Sequence, residues 1–194
     1  MKGWLSGIAI AVLVGVATYS VIYLRTSGHY IPSEFSQARI DGAELAKHIV
    51  ELSNESLGNL ATIADYDRLG KKSEALILIS QEVVKTRDLQ EEAIKLSSQL
   101  ESMARTVEDI RPGKARVLAA EAISSEVALV SRLLSYNDLL LQLFEALRNK
   151  FQHPDEFTNG KVEGLVTRIN EEATAINTFN DRFGQSLAEF DKLF

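Results

Sequence analysis

The sequence predicts an all-α protein in which an N-terminal transmembrane helix precedes an antiparallel bundle of four long helices. Three observations lead to this fold class: an uncharged apolar stretch near the N-terminus, apolar residues at helical spacing in the rest of the chain, and three widely separated prolines. Because proline interrupts helices, wide spacing leaves room for long uninterrupted ones. Alternation with a period of two, which would indicate strands, is not evident.

The predicted anchor is the segment 4–24, WLSGIAIAVLVGVATYSVIYL, which has no charged side chain and lies between Lys2 and Arg25. A helix of this length spans roughly 31 Å, close to the thickness of the hydrocarbon core of a bilayer. The apolar region of a cleaved signal peptide, which is the alternative, is usually about 7–15 residues long. We therefore expect residues 1–27 to remain as a single-pass anchor in the cell membrane and residues 28–194 to form one helical domain.

Small residues recur every four positions in the same segment, at Gly3, Gly7, Ala11 and Gly15. This spacing puts them on one face of the helix, where two such helices could approach closely and form a homo-oligomer. The alternative interpretation is that small residues are simply common in spanning helices.

The basic residues that flank the anchor favour opposite orientations. Lys2 favours a cytoplasmic N-terminus, whereas Arg25 and Arg39 favour a cytoplasmic domain. A very short charged tail usually stays inside the cell. We therefore expect the bundle to be extracytoplasmic.

The composition restricts the partners. The chain has 21 basic and 27 acidic residues, a formal net charge of −6, and no cysteine. An acidic domain repels phosphate backbones, so we predict that it binds no nucleic acid. Without cysteine there are no disulfides, thiolate metal sites or Cys nucleophiles. The expected partners are the lipid bilayer and other proteins, including a second copy of the chain.

Turn signals divide the domain into four segments of similar length. The stretch Ile31-Pro32-Ser33-Glu34 predicts a helix start with Ser33 as the cap. Breaks follow at Leu69-Gly70, at Arg111-Pro112-Gly113 and at His153-Pro154. Helices of equal length joined by short turns pack as antiparallel neighbours.

Each segment carries an apolar stripe at helical spacing. In the second segment the stripe is Leu89, Ala93, Leu96, Leu100, Met103, Val107 and Ile110. In the third it is Ala120, Ile123, Val127, Val130, Leu134, Leu141 and Phe144, with extra leucines at 133, 139, 140 and 143. In the fourth it is Val162, Ile169, Ala173, Ile176, Phe183, Leu187, Phe190 and Phe194. The extra leucines and the C-terminal phenylalanines are interpreted either as core or as a contact surface for another protein.

Asparagines interrupt two of these stripes, at Asn137 and Asn180. In a hairpin that turns near residue 156, Asn137 would lie level with about residue 175, which makes Asn177 the nearer partner. The functional interpretation is a polar pocket or a device that fixes helix register. The alternative is that these side chains lie at the edge of the stripe.

We predict no catalytic, cofactor-binding or metal-binding residues and no enzymatic activity. Glu44 and His48 share a helix face, but a di-metal bundle site requires Glu-x-x-His motifs on two helices, and none is present. The standard serine-nucleophile and nucleotide-binding motifs are also absent from the sequence. A solvated face is the simpler interpretation of the Glu44 and His48 pair.

The function expected from these patterns is that of a membrane-anchored interaction or assembly protein. Its plan is similar to that of the LemA family and of four-helix chemoreceptor sensor domains, a resemblance that implies architecture alone. One alternative is an extracytoplasmic ligand-binding sensor module that acts through a partner chain. Another is a tetratricopeptide-like adaptor, suggested by the turn at residues 64–70 although the sequence holds no second copy of it.

Overall fold

The computed structural model describes residues 28–154 and 159–194, and the regular structure within these ranges is helical. Four α-helices follow one another: α1 (Ser33–Arg68), α2 (Lys72–Thr106), α3 (Gly113–Gln152) and α4 (Asn159–Asp191). A 3₁₀ turn, Val107–Asp109, follows α2. The strand-like pairing in the described ranges is an isolated bridge between Tyr30 and Arg111. The prediction of an all-α domain with four long helices is confirmed.

The helices pack in chain order, α1 against α2, α2 against α3 and α3 against α4, which confirms the antiparallel bundle. Helices α1 and α4 contact each other through side chains near residues 35–39 of α1. The rings of Phe35 and Phe190 have centroids 6.0 Å apart. Beside them Arg39 Nη2 donates to both carboxylate oxygens of Asp191 at 2.7 Å.

The helix ends follow the predicted breaks with one correction. Leu69 is the C-terminal cap of α1, and Gly70 follows with φ of +71°, a left-handed conformation that glycine adopts without steric cost. Ser33 was expected to cap α1, but it is the first residue of the helix and its side chain makes no capping hydrogen bond. The Pro32 carbonyl accepts the first bond instead, from the Ser36 N–H at 3.1 Å.

The predicted stripes form the core in α2 and α4. Leu89, Leu96 and Leu100 of α2 are buried, as are Ile176 and Phe190 of α4. In α4, Phe183 and Phe194 are half-buried and packed against the core. The core interpretation of these C-terminal phenylalanines is therefore the one that fits the packing.

In α3 the extra leucines also belong to the core, whereas part of the predicted stripe does not. Leu133, Leu139, Leu140 and Leu143 are all buried. Val127, which was expected inside, is 52% exposed, and Ala120 is exposed as well. The buried row runs one residue earlier, through Ala119 and Glu126. Apolar residues occupy so many faces of α3 that the spacing alone does not determine which face turns inward.

The predicted transmembrane anchor and its stripe of small residues lie outside the residues that the structure describes. No helix within residues 28–154 and 159–194 is long and apolar enough to cross a membrane. The predicted anchor, residues 1–27, lies outside these ranges, and so does the stripe of Gly3, Gly7, Ala11 and Gly15.

The tetratricopeptide alternative does not fit the observed helix lengths. Helices α1 and α2 contain 36 and 35 residues. One of these helices is therefore as long as a whole helix–turn–helix repeat of about 34 residues.

Candidate functional site

Asn137, the first of the predicted polar residues, is fully enclosed. Its side chain has 0% exposure, and neither Nδ2 nor Oδ1 has a hydrogen-bond partner. It occupies a column of α3 in which every seventh residue is buried and otherwise apolar: Ile123, Val130, Phe144 and Phe151. The interpretation of Asn137 as an edge residue is therefore wrong.

The structure does not bring Asn137 to the level of Asn177 and Asn180. Arg132 on α3 contacts Glu172 on α4, with Nη1 and Oε1 3.4 Å apart, and this pair sets the register of the two antiparallel helices. Asn137 follows Arg132, so its level on α4 precedes Glu172, whereas the other two asparagines follow it. Both are half-buried. This contact thus separates Asn137 from Asn177 and Asn180 along α4.

A charged side chain lies inside α2 at the interface with α1. Glu82 has 0% exposure, and its Oε1 accepts hydrogen bonds from Asn59 Nδ2 at 2.6 Å and from Lys85 Nζ at 2.9 Å. Lys85 also pairs with Glu55 at 2.7 Å. Burial alone would lower the pKa of Lys85, but the hydrogen bonds and charges of Glu55 and Glu82 more than offset this effect and raise it. The second oxygen of Glu82, Oε2, is enclosed without a partner.

Buried polar residues occur on α1, α2 and α3. They are Ser53, Ser56, Glu82, Thr86 and Asn137. Between α1 and α2, the hydrogen bond from Asn59 to Glu82 and the ion pair of Glu55 with Lys85 set the register. Between α2 and α3, Gln90 Nε2 donates to Asp138 Oδ1 at 2.7 Å, so Asn137 lies nearer the level of Gln90 than that of Glu82.

Glu126 is a second buried acidic residue and lies nearer the N-terminal end of α3. It is 6% exposed, its Oε2 has no hydrogen-bond partner, and no described cation forms an ion pair with it. Burial raises the pKa of its carboxyl group from the ordinary 4.5 to about 7. By the register of Arg132 and Glu172, Glu126 lies level with the α4 turn that carries Asn177 and Asn180. This group therefore changes charge near neutral pH.

The pair Glu44 and His48 lines a surface groove of about 430 Å³ on α1 and α2. His48 Nδ1 lies 3.8 Å from Glu92 Oε2, and Glu92 is already bonded to Lys95 at 2.8 Å. The Lys95 hydrogen bond lowers the pKa of Glu92. In the part of the chain that the structure describes, no group of three or more His, Asp or Glu side chains is placed to hold a metal ion. The groove therefore has the character of a solvated ion-pair surface.

The outer face of α2 at the level of Glu82 is aliphatic and uncharged. Ile77 is 61% exposed and Val84 is 58% exposed, and together with Ser80 and Gln81 they line a shallow groove of about 480 Å³. These side chains recur at helical spacing on the side opposite Glu82. Exposed aliphatic groups thus lie on the outer side of these turns, while Ala75 and Ile79 are buried on the inner side together with Glu82.

Sequence reasoning missed Glu82, Thr86 and Glu126 as interior residues. A signal for the first two was present, because the stripe of α2 extends toward the N-terminus through Ile79, Glu82 and Thr86 in steps of three and four. Glu126 belongs to a buried row of α3 that lies one residue earlier than the predicted stripe.

The chain matches no protein-family model, no curated protein and no solved structure in comparisons with known proteins.

Proposed function

We propose that this protein is a membrane-anchored interaction or assembly protein that acts by presenting a helical bundle outside the cytoplasm. The bundle would use its surface rather than a catalytic centre. The observation that carries this proposal is the outer face of α2, where Ile77 and Val84 are more than half exposed. Exposed aliphatic groups at helical spacing, without charges among them, are the composition expected where another helix packs.

The anchored arrangement is supported by the place where the predicted anchor would join the domain. The described chain begins at residue 28, and Tyr30 is paired with Arg111 by two backbone hydrogen bonds of 3.0 Å. Residue 30 is therefore held at the end of the bundle where α1 begins and α4 ends. The face containing Ile77 and Val84 lies toward the other end, away from the membrane in this arrangement.

An extracytoplasmic ligand-binding sensor module is the second candidate. It is supported by the enclosed polar groups of Asn137 and Glu126, because interior polar groups without partners are more frequent at functional sites than in structural cores. It differs from the first candidate because it requires a ligand bound inside the bundle rather than a partner protein on its outer face.

Crosslinking from the outer face of α2 tests the interaction role. The full chain is made with Ile77→Cys, labelled with a benzophenone maleimide in membranes and irradiated. We expect an adduct, either at twice the chain mass of 21.5 kDa if a second copy packs there or at another mass if a different protein does. Gln142→Cys, at an exposed position of α3 with Asp138 and Glu145 on the adjacent turns, is the matched control. Equal labelling of partners at both positions, or none at either, would contradict the proposal.

Thiol accessibility in intact cells tests the orientation. The natural chain has no cysteine, so Ala188→Cys, on the exposed face of α4, introduces a single reporter. We expect a membrane-impermeant maleimide to label this variant in intact cells and the labelled protein to remain with the membrane fraction. Lys2→Cys is the opposite reporter and should react after lysis. The reverse pattern would place the domain in the cytoplasm, and label in the soluble fraction would exclude an anchor.

A further inference from the structure

A cluster of four side chains joins α1 to α4 at one end of the bundle. The rings of Phe35 and Phe190 have centroids 6.0 Å apart. The guanidinium group of Arg39 lies 5.4 Å from the centre of the Phe190 ring and donates to both carboxylate oxygens of Asp191 at 2.7 Å. The Arg39 side chain is only 13% exposed, so solvent weakens this charged hydrogen bond little. These four residues are called the α1–α4 clasp below.

The clasp lies on the least closely packed side of the bundle. In the described ranges the helix backbones pack closely between α1 and α2, between α2 and α3, and between α3 and α4, but not between α1 and α4. The domain therefore consists of two tight hairpins, α1–α2 and α3–α4, that share the α2–α3 contact. Separation of two hairpins about a shared contact is a hinge motion, and it breaks fewer contacts than unfolding does.

The segment that precedes α1 is attached to the clasp. The ring of His29 meets the ring of Phe194 edge to face with centroids 5.6 Å apart, and Phe194 in turn lies 5.0 Å from Phe190. The next residue, Tyr30, pairs with Arg111 through two backbone hydrogen bonds of 3.0 Å. Residues 29 and 30 therefore contact the C-terminal end of the chain and the connection between α2 and α3 just before α1 begins.

We propose that the α1–α4 clasp lets the segment preceding α1 control the separation of the two hairpins. The inference rests on the fold alone and applies to either candidate function. Displacement of residue 29 withdraws a ring from Phe194 and loosens Phe190, over which Arg39 lies. Release of the clasp then opens the side between α1 and α4, so a pull on the chain before α1 becomes a change in the shape of the bundle.

Distances between spin labels in the full chain in detergent test this control. The natural chain has no cysteine, so the exposed pair Glu51→Cys on α1 and Thr174→Cys on α4 reports on the two hairpins. Glu51→Cys with Glu91→Cys on α2 is the matched control within one hairpin. We expect Arg39→Met to raise the population with a longer α1–α4 distance about tenfold or more, because hydrogen bonds between charged groups are strong, and to leave the α1–α2 distance unchanged. Asp191→Asn is the milder substitute if Arg39→Met does not fold.

Two further variants separate control by the clasp from a general loss of stability. Arg132→Met removes the 3.4 Å ion pair with Glu172 inside the α3–α4 hairpin and should change neither distance. His29→Ala removes the ring contact of the preceding segment and should raise the population with the longer α1–α4 distance roughly threefold. An unchanged α1–α4 distance after release of the clasp, equal broadening of both label pairs, or no effect of His29→Ala would each overturn the proposal.

Discussion

Replacing Lys85 by methionine is expected to lower the free energy of unfolding by about 3 kcal/mol or more. The reason is that Glu82 has 0% exposure and Lys85 is the cation that compensates it, through the 2.9 Å bond to Oε1. Removing one member of a buried ion pair leaves an uncompensated charge in a medium that solvates it poorly, at a cost of roughly 3–5 kcal/mol. Chemical denaturation of the full chain in detergent at neutral pH measures the difference.

Two further variants show whether the cost arises from the stranded charge. Lys95→Met removes a lysine that makes a 2.8 Å bond to Glu92 but is 58% exposed, and we expect a much smaller loss than for Lys85→Met because solvent screens this ion pair. The double variant Lys85→Met with Glu82→Leu removes both buried charges and should recover most of the stability. If the double variant is as unstable as Lys85→Met alone, the effect comes from packing and not from the unpaired carboxylate.

The fold could be predicted from the sequence because its determinants are local. The breaks at Gly70 and Pro112 and the seven-residue repeats of α2 and α4 act through neighbouring residues, so spacing along the chain was sufficient. The predicted start of α1 was wrong by one residue because Ser33 and the Pro32 carbonyl are both able to begin a helix. Local spacing does not decide between them.

The interior polar residues could not be predicted because burial depends on contacts between helices. Glu82 and Thr86 continue the α2 stripe, but whether that stripe is covered there depends on Asn59 and the rest of α1. In α3 part of the buried stripe is shifted by one residue from the predicted one, so Glu126 is buried where Val127 was expected. The level of Asn137 depended on the Arg132 contact with Glu172, which no property of either segment alone determines.

The buried carboxyl group of Glu126 makes the stability of the bundle depend on pH. Its pKa rises from 4.5 to about 7 on burial, so the native state holds the proton more tightly than the unfolded chain does. For a carboxyl group with a raised native pKa, the stabilisation from proton binding is complete below the unfolded value and is lost as the pH rises through the native value. We therefore expect the stability of the bundle to decline between about pH 4.5 and pH 7.

The size of this decline is about 3 kcal/mol, since each unit of difference in pKa corresponds to about 1.4 kcal/mol. Glu126→Gln keeps the shape of the protonated side chain and removes its ionisation. The variant should match the natural protein near pH 4.5 and exceed its stability by about 3 kcal/mol at pH 8. For a domain of this size that difference raises the midpoint of thermal unfolding by roughly 5–10 °C.

Thermal unfolding of the full chain in detergent at several pH values, followed by circular dichroism, measures the effect, with Glu121→Gln as the matched control. Glu121 lies on the same helix but is exposed, so its replacement should change the stability by no more than about 0.5 kcal/mol at any pH. A gain from Glu126→Gln that is the same at pH 5 and pH 8 would mean that the carboxylate is compensated in the bundle. A gain confined to the higher pH means that the bundle carries an uncompensated buried charge at neutral and alkaline pH, and that protonation of Glu126 stabilises the fold.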